Sequence, residues 1–384
     1  MSWKSEPLSA VTSKIGSGST PRGGDSVYIT EGTALIRSQN VYNNEFTSDG
    51  LVYIDEKTAD KMKGVTVEAN DVLVNITGDS VARCCIVNEN ALPARVNQHV
   101  AILRAKKSCL IPHYLAFYMV SPLMQATLLS WAGTGGTRKA LTKGMLENFE
   151  IPLPPLDIQE KIVGVIKAYN DLIENNRRRI QLLEESARLL YQEWFVRLRF
   201  PGHEQVKVGD GVPAGWTKEP LENLLILQRG FDLPVSKRIE GKVPIYASTG
   251  INGFHNSAKV KAPGVVTGRS GSLGTVMYVS TDFWPLNTTL WVKEFKKASP
   301  LFATFLLRAM KLEGYNGGAA VPTLNRNDVH KVDVLCPPVN LMNEFESQVG
   351  STFKQVDKLK EYNEKLAQAR DLLLPKLMSG ELTV

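Results

Sequence analysis

Apolar residues follow two periods along this chain, and the two alternate twice. Short β-branched runs at Val27–Ile29, Asp71–Ile76 and His99–Leu103 are bounded by Gly, Asn and Asp. That pattern predicts strands joined by turns. Apolar stretches at His113–Met119 and Phe302–Leu307 predict two short helices. Gly-rich loops at 133–137 and 316–319 come next, and then the diprolines Pro154-Pro155 and Pro337-Pro338. A residue before proline is biased away from helix, so each diproline marks an edge.

Beyond each diproline the spacing becomes heptad-like. Ile158, Ile162, Val165, Tyr169 and Leu172 form the first stripe. After a phase slip near Ile173 it continues through Asn176, Ile180, Leu183, Ala187, Leu190 and Trp194. The second stripe runs through Phe345, Val349, Phe353, Val356, Leu359, Asn363, Leu366, Arg370, Leu373 and Leu377. Such seams predict helix-on-helix packing. About 40 residues of helix span roughly 60 Å. Asn176 and Asn363 are polar positions within the seams, of the kind that can fix register.

The alternation reflects an internal repeat. Trp3-Lys-Ser-Glu-Pro7-Leu8 returns as Trp216-Thr-Lys-Glu-Pro220-Leu221. Asp71-Val-Leu-Val with Gly78 returns as Gly264-Val-Val-Thr with Gly271, and Asn97-Gln-His-Val loosely as Asn287-Thr-Thr-Leu. Leu141-Thr142 returns as Leu324-Asn325. The expected class is α+β, with two similar globules and two long helices. Globules at 1–152 and 201–335 alternate with helical segments at 153–200 and 336–384. If the helices pair, this chain order makes them antiparallel, giving a dumbbell with pseudo-twofold symmetry. A twofold protein suits duplex DNA read at two half-sites.

Composition narrows the chemistry. The 384 residues carry 43% apolar and 22% charged side chains, a globular balance. No apolar run reaches the ~18 residues of a membrane span, and the first residues lack a signal-peptide core. Cys84, Cys85, Cys109 and Cys336 have neither zinc nor disulfide spacing, which points to a reducing compartment, the cytoplasm. Net charge is +6, and residues 201–338 hold 16 basic against 11 acidic residues. The excess permits a polyanionic partner, and if DNA is the ligand a partner should supply much of the phosphate neutralisation. No P-loop, dinucleotide fingerprint, methyl-transfer motif or metal-ligand spacing is present. Asp157 and Glu160 sit where a helix start favours acidic residues.

The motifs resemble those of the specificity subunits of type I restriction–modification systems. Those that carry the resemblance are the two Trp-x-x-x-Pro-Leu openings, Asp71-Val-Leu-Val…Gly78 and Asn97-Gln98-His99-Val100. The module end Ile151-Pro-Leu-Pro-Pro155-Leu-Asp-Ile-Gln159-Glu160, the central Leu190-Tyr-Gln-Glu-Trp194-Phe195 and the closing Leu374-Pro-Lys-Leu-Met-Ser-Gly380 complete the set. In the second copy, Met342-Asn343 replaces Gln159-Glu160.

The resemblance implies two target-recognition domains, each reading half of a split double-stranded DNA site. The helices would set the spacer and dock two methyltransferase (M) subunits, and restriction (R) subunits would join. S-adenosylmethionine, ATP and Mg would sit on those partners, leaving no cofactor, metal or catalytic residue on this chain. A self-contained methyltransferase or nuclease, or a coiled-coil scaffold, are the alternatives.

Phosphate contacts favour Lys, Arg, small polar groups and Gly-rich backbone. Thr134, Gly135, Gly136, Thr137, Arg138, Lys139 and Lys143 fit in the first module, and Asn316, Gly317, Gly318, Thr323, Asn325 and Arg326 in the second. Base reading favours Arg, Lys, Asn and Gln on loops. Candidates are Arg22, Arg37, Gln39 and Asn40, then Gln228, Arg229, Lys237, Arg238, Arg269 and Ser270.

Overall fold

The computed structural model describes residues 3–133, 139–315 and 322–384. They form two compact units, Met1–Asn175 with Asn363–Val384, and Asn176–Tyr362.

In the first unit, β-branched residues at alternating positions build a four-stranded antiparallel sheet. Its strands lie in the order Thr12–Ser17, Val100–Ala105, Val72–Asn75, Cys84–Ile86. A second sheet contains Thr33–Ile36, with Ala94–Val96 parallel to it. In the second unit, Leu225–Arg229, Thr289–Phe295, Gly264–Gly268 and Val276–Val279 take the same order. There Val243–Ala247 pairs in parallel with Trp284–Pro285. The helices Pro112–Val120 and Pro300–Ala309 form as expected, each with proline in its first turn, where the missing N–H costs nothing. Val27–Ile29 differs from expectation. Val27 closes a 3₁₀ turn, and Ile29 makes only an isolated bridge to Tyr53.

Backbone hydrogen bonds superimpose the two modules. Leu8 N–H donates to the Phe149 carbonyl at 2.8 Å, and Leu221 N–H to that of Val332 at 2.9 Å. Leu141 N–H donates to Ile76 O, and Leu324 N–H to Arg269 O, both at 2.8 Å. Gly78 N–H donates to Lys139 O, and Gly271 N–H to Pro322 O, both at 3.1 Å. Asn97 N–H donates to Ile36 O at 3.0 Å, and Leu286 N–H to Tyr246 O at 2.8 Å. The last pair corrects the sequence register by one residue. Asn97 corresponds to Leu286, and Gln98 to Asn287.

Gly18 and Gly230 hold matching places in this frame. A Cβ on Gly18 would meet the Val96 carbonyl oxygen at 1.9 Å, and one on Gly230 that of Leu286 at 2.2 Å. Backbone cannot yield as a side chain can. Gly18→Ala and Gly230→Ala are each expected to cost at least about 1–3 kcal/mol, read as a lower melting temperature. Gly16→Ala, with open space at its Cβ, is the comparison that should stay near wild type.

The long helices span Leu156–Tyr191 and Val339–Ser379. Within the first unit they run antiparallel. Asn363 Nδ2 donates to Ile173 O at 3.3 Å, and Arg370 Nη1 to Asn170 Oδ1 at 2.8 Å. Within the second unit the sense is the same, with Lys360 beside Glu184 and Phe345 against Tyr191. Val349, Phe353, Val356 and Leu359 are buried as the heptad requires. The first seam departs from expectation at its slip. Leu172 is 46% exposed, whereas Ile166 and Ile173 face inward. Leu374, Leu377 and Met378 return to the first unit's core beside Ile162 and Ile166.

The Gln159-to-Met342 exchange between the repeats has a packing explanation. Gln159 is fully buried; it accepts from Ile111 N–H and donates to the Cys109 and Pro154 carbonyls. Met342 is equally buried, within an apolar cluster. Either solution fills the helix start, one with satisfied polar groups and one with none.

No single described helix is long and apolar enough to cross a membrane. The bent pair Pro112–Val120 and Pro122–Gly133 is apolar enough together, but Tyr114, Leu115, Leu128 and Ala132 are core residues of the first unit.

Candidate nucleic-acid interface

In the second unit the fold gathers residues that are far apart in sequence. Arg229 ends its strand opposite Leu290. Arg269 and Ser270 follow Gly268 on the Gly-rich turn, where Gly271 and Gly274 take left-handed backbone. An isolated bridge joins Ser270 to Thr323. Asn325 then caps the short helix Arg326–His330, its side chain accepting from Asn327 N–H at 3.1 Å. Buried Val329 anchors that helix, as does His330, whose Nε2 accepts from Leu227 N–H at 2.9 Å. Burial lowers the His330 pKa, keeping the ring neutral and able to accept. Arg229, Arg269, Thr323, Asn325 and Arg326 therefore line one cleft of about 430 Å³. Three guanidiniums around an open cleft, with no carboxylate among the described residues that line it, make an anion-attracting surface.

The first unit has the same frame with other side chains. Thr142 caps the matching short helix by accepting from Met145 N–H at 3.2 Å. Lys143 occupies the place of Arg326, exposed and near Glu147. Lys139 is exposed. Gln39 is exposed on a loop shared by two clefts of about 530 and 420 Å³, with Tyr42 beside it in both. The Arg83 guanidinium lies 4.6 Å from the Tyr42 ring centre. Tyr42 and Arg83 were not legible as site residues, because only the fold stacks them.

Asn40 requires a correction. It is fully buried, its Oδ1 accepts from Arg37 N–H, and its Nδ2 donates to the carbonyls of Thr47 and Asp49. With both ends of the carboxamide engaged it shapes the loop and cannot meet a ligand. Asn75, also buried, donates to the Ser38 carbonyl at 2.8 Å from the other side. Two buried amides thus fix the backbone that presents Gln39. Arg37 is half-buried, donates to Gly50 O at 2.6 Å and lies over Tyr28.

The remaining candidates are scattered. Arg22 and Lys237 are exposed, and Gln228 is half-buried. Arg238 is tied to Asn252 through both terminal nitrogens. Thr134, Gly135, Gly136, Thr137, Arg138, Asn316, Gly317 and Gly318 lie outside the described residues. Among the described residues no His/Cys/Asp/Glu cluster could hold a metal ion. Burial pushes the Cys85 thiol up to about 12 and raises that of Cys84, so both behave as packing residues.

Residues 16–185 match the family model of the type I restriction modification DNA specificity domain. The MjaIX specificity subunit of Methanocaldococcus jannaschii is 25% identical, over 72% of this chain and 71% of the relative. The HindI specificity subunit of Haemophilus influenzae is 20% identical, over 91% and 94%. Among solved structures, the S subunit from M. genitalium shares the fold over 98% of this chain and 96% of its own, with TM-score 0.56 and 16% identity. A structure solved in a study of complex assembly in a type I R-M system covers 99% and 98%, with TM-score 0.50 and 16% identity.

Proposed function

We infer that this chain, a member of the specificity-subunit family of type I restriction–modification systems, supplies DNA-sequence recognition to a complex whose catalysts are other subunits. One observation carries the reading. A single backbone frame is built twice, and its exposed loops carry different side chains in each copy. That is what a reader of a two-part site requires, because the scaffold is constant while the surface that meets the bases differs.

On this reading, residues 1–152 and 201–335 each recognise one half of the site. The paired helices set the spacer and carry the docking face for methyltransferase subunits, with restriction subunits joining the assembly. S-adenosylmethionine, ATP and Mg belong to those partners, and the complex works in the cytoplasm. The charge distribution supports a division of labour. The second module brings its own cationic cleft, and the nearly neutral first module relies more on partners for phosphate contacts.

The test is a methylation map. The chain is co-expressed with its methyltransferase subunit in a host that otherwise lacks DNA methylation, and modified bases are sequenced genome-wide. A split motif with a fixed gap is the expected result. A continuous motif, or none from a soluble complex, overturns the reading.

A further inference from the structure

The one-residue correction to the repeat brings two side chains into equivalence. Gln98 and Asn287 occupy the same point of the frame, just before Val100–Ala105 and Thr289–Phe295. The flanking bonds agree. Val100 N–H donates to Asn97 O at 3.2 Å, and Thr289 N–H to Leu286 O at 2.9 Å. Ile76 N–H donates to His99 O at 2.9 Å, and Arg269 N–H to Thr288 O at 2.8 Å.

Both modules therefore place a carboxamide on the same turn. Gln98 is exposed and Asn287 half-exposed. Each adjoins a residue that lines a cleft already described. His99, next to Gln98, lines the first, and Arg269, whose Nη1 reaches the Asn287 carbonyl at 3.4 Å, lines the second.

Each carboxamide is also oriented, by different means. Gln98 Nε2 donates to His99 Nε2 at 3.2 Å, and His99 Nδ1 in turn donates to Thr77 Oγ1 at 2.6 Å. Asn287 Nδ2 donates to the Asp232 carboxylate. In both modules one N–H is held by a neighbour. The amide oxygen and the second N–H remain for a ligand. That remaining pair matches the major-groove edge of adenine, whose N6 amino group donates and whose N7 accepts. Fixing the amide in advance reduces the ordering cost of making both bonds.

We propose that Gln98 and Asn287 are specificity-determining residues, each reading one adenine in its module's half-site through a bidentate carboxamide contact. His99, Thr77 and Asp232 are their positioning residues. The proposal rests on the DNA-recognition reading above.

The test compares methylation maps of complexes containing the wild-type chain, Gln98→Ala, Asn287→Ala and the near-isosteric Gln98→Glu and Asn287→Asp. Both side chains are at the surface, and a melting curve on each complex confirms folding. Each alanine variant should lose about 5- to 150-fold discrimination at one A·T pair, confined to one half-site. The acidic variants should lose the same preference, since a carboxylate cannot donate to N7. His99→Phe and Asp232→Ala should weaken the same position less. Unchanged preference at every position overturns the proposal, as does loss at a G·C pair or uniform loss across the site. A wild-type map without a split motif would instead overturn the recognition reading itself.

Discussion

Removing the three guanidiniums of the second module's cleft should flatten the salt dependence of DNA binding. In the triple variant Arg229→Ala, Arg269→Ala, Arg326→Ala, the slope of log K against log salt should become shallower by up to about 2.7, or roughly 0.9 for each phosphate that is no longer neutralised. Between 50 and 200 mM salt the wild type should then lose about 40-fold more affinity than the variant, on top of the variant's weaker binding at low salt. The measurement is a titration of the assembled complex onto a duplex carrying its mapped site, at several salt concentrations. Folding should be untouched. Arg229 and Arg326 are exposed, and the hydrogen bond of the Arg269 side chain to the Asn287 backbone carbonyl is long, at 3.4 Å. An unchanged slope would show that the cleft does not meet the phosphate backbone. A changed slope with an unchanged motif would assign these arginines to positioning rather than to sequence reading.

Why these three belong together was not legible in the sequence. They lie on a strand end, a Gly-rich turn and a helix start, joined in space by the Ser270–Thr323 bridge. Bridges between distant loops leave no periodic trace. The heptad seams did leave one, because burial on a helix repeats every 3.5 residues or so. Even there, the stripe runs through Leu172 in the sequence where the fold buries Ile173, since both are apolar and only packing selects the inward one. Asn40 and Gln39 pose the same difficulty on a loop. Both are polar neighbours, and only the position of the Thr47 and Asp49 carbonyls decides which is buried. The register of Asn97 against Asn287 misled for a different reason. Residue identity suggested a match that the backbone bonds contradict, and correcting it is what pairs Gln98 with Asn287.

The Asp71-Val-Leu-Val motif belongs to the scaffold, and Arg104→Met should show it through a loss of about 3–5 kcal/mol in the first unit. The Asp71 side chain is fully buried. Its Oδ1 accepts from Arg104 Nε at 2.7 Å, and its Oδ2 from Arg104 Nη2 at 2.8 Å and Glu68 N–H at 2.7 Å. The Arg104 guanidinium also donates to Thr66 O and pairs with Glu68. Its bonds to Asp71 raise its pKa, despite partial burial. A bidentate pair of this kind ties the strand Val100–Ala105 to the turn before Val72–Asn75. Methionine fills the arginine's volume but leaves a carboxylate buried with one backbone donor, which is the costly way to break such a pair. The melting transition of the first unit should fall by roughly 6–20 °C. Adding Asp71→Asn removes the stranded charge, so the double variant should recover part of the loss. If Arg104→Met alone melts like wild type, the pair is not desolvated in solution. If the double variant is no better than the single, the loss comes from packing around Arg104 rather than from the charge left on Asp71.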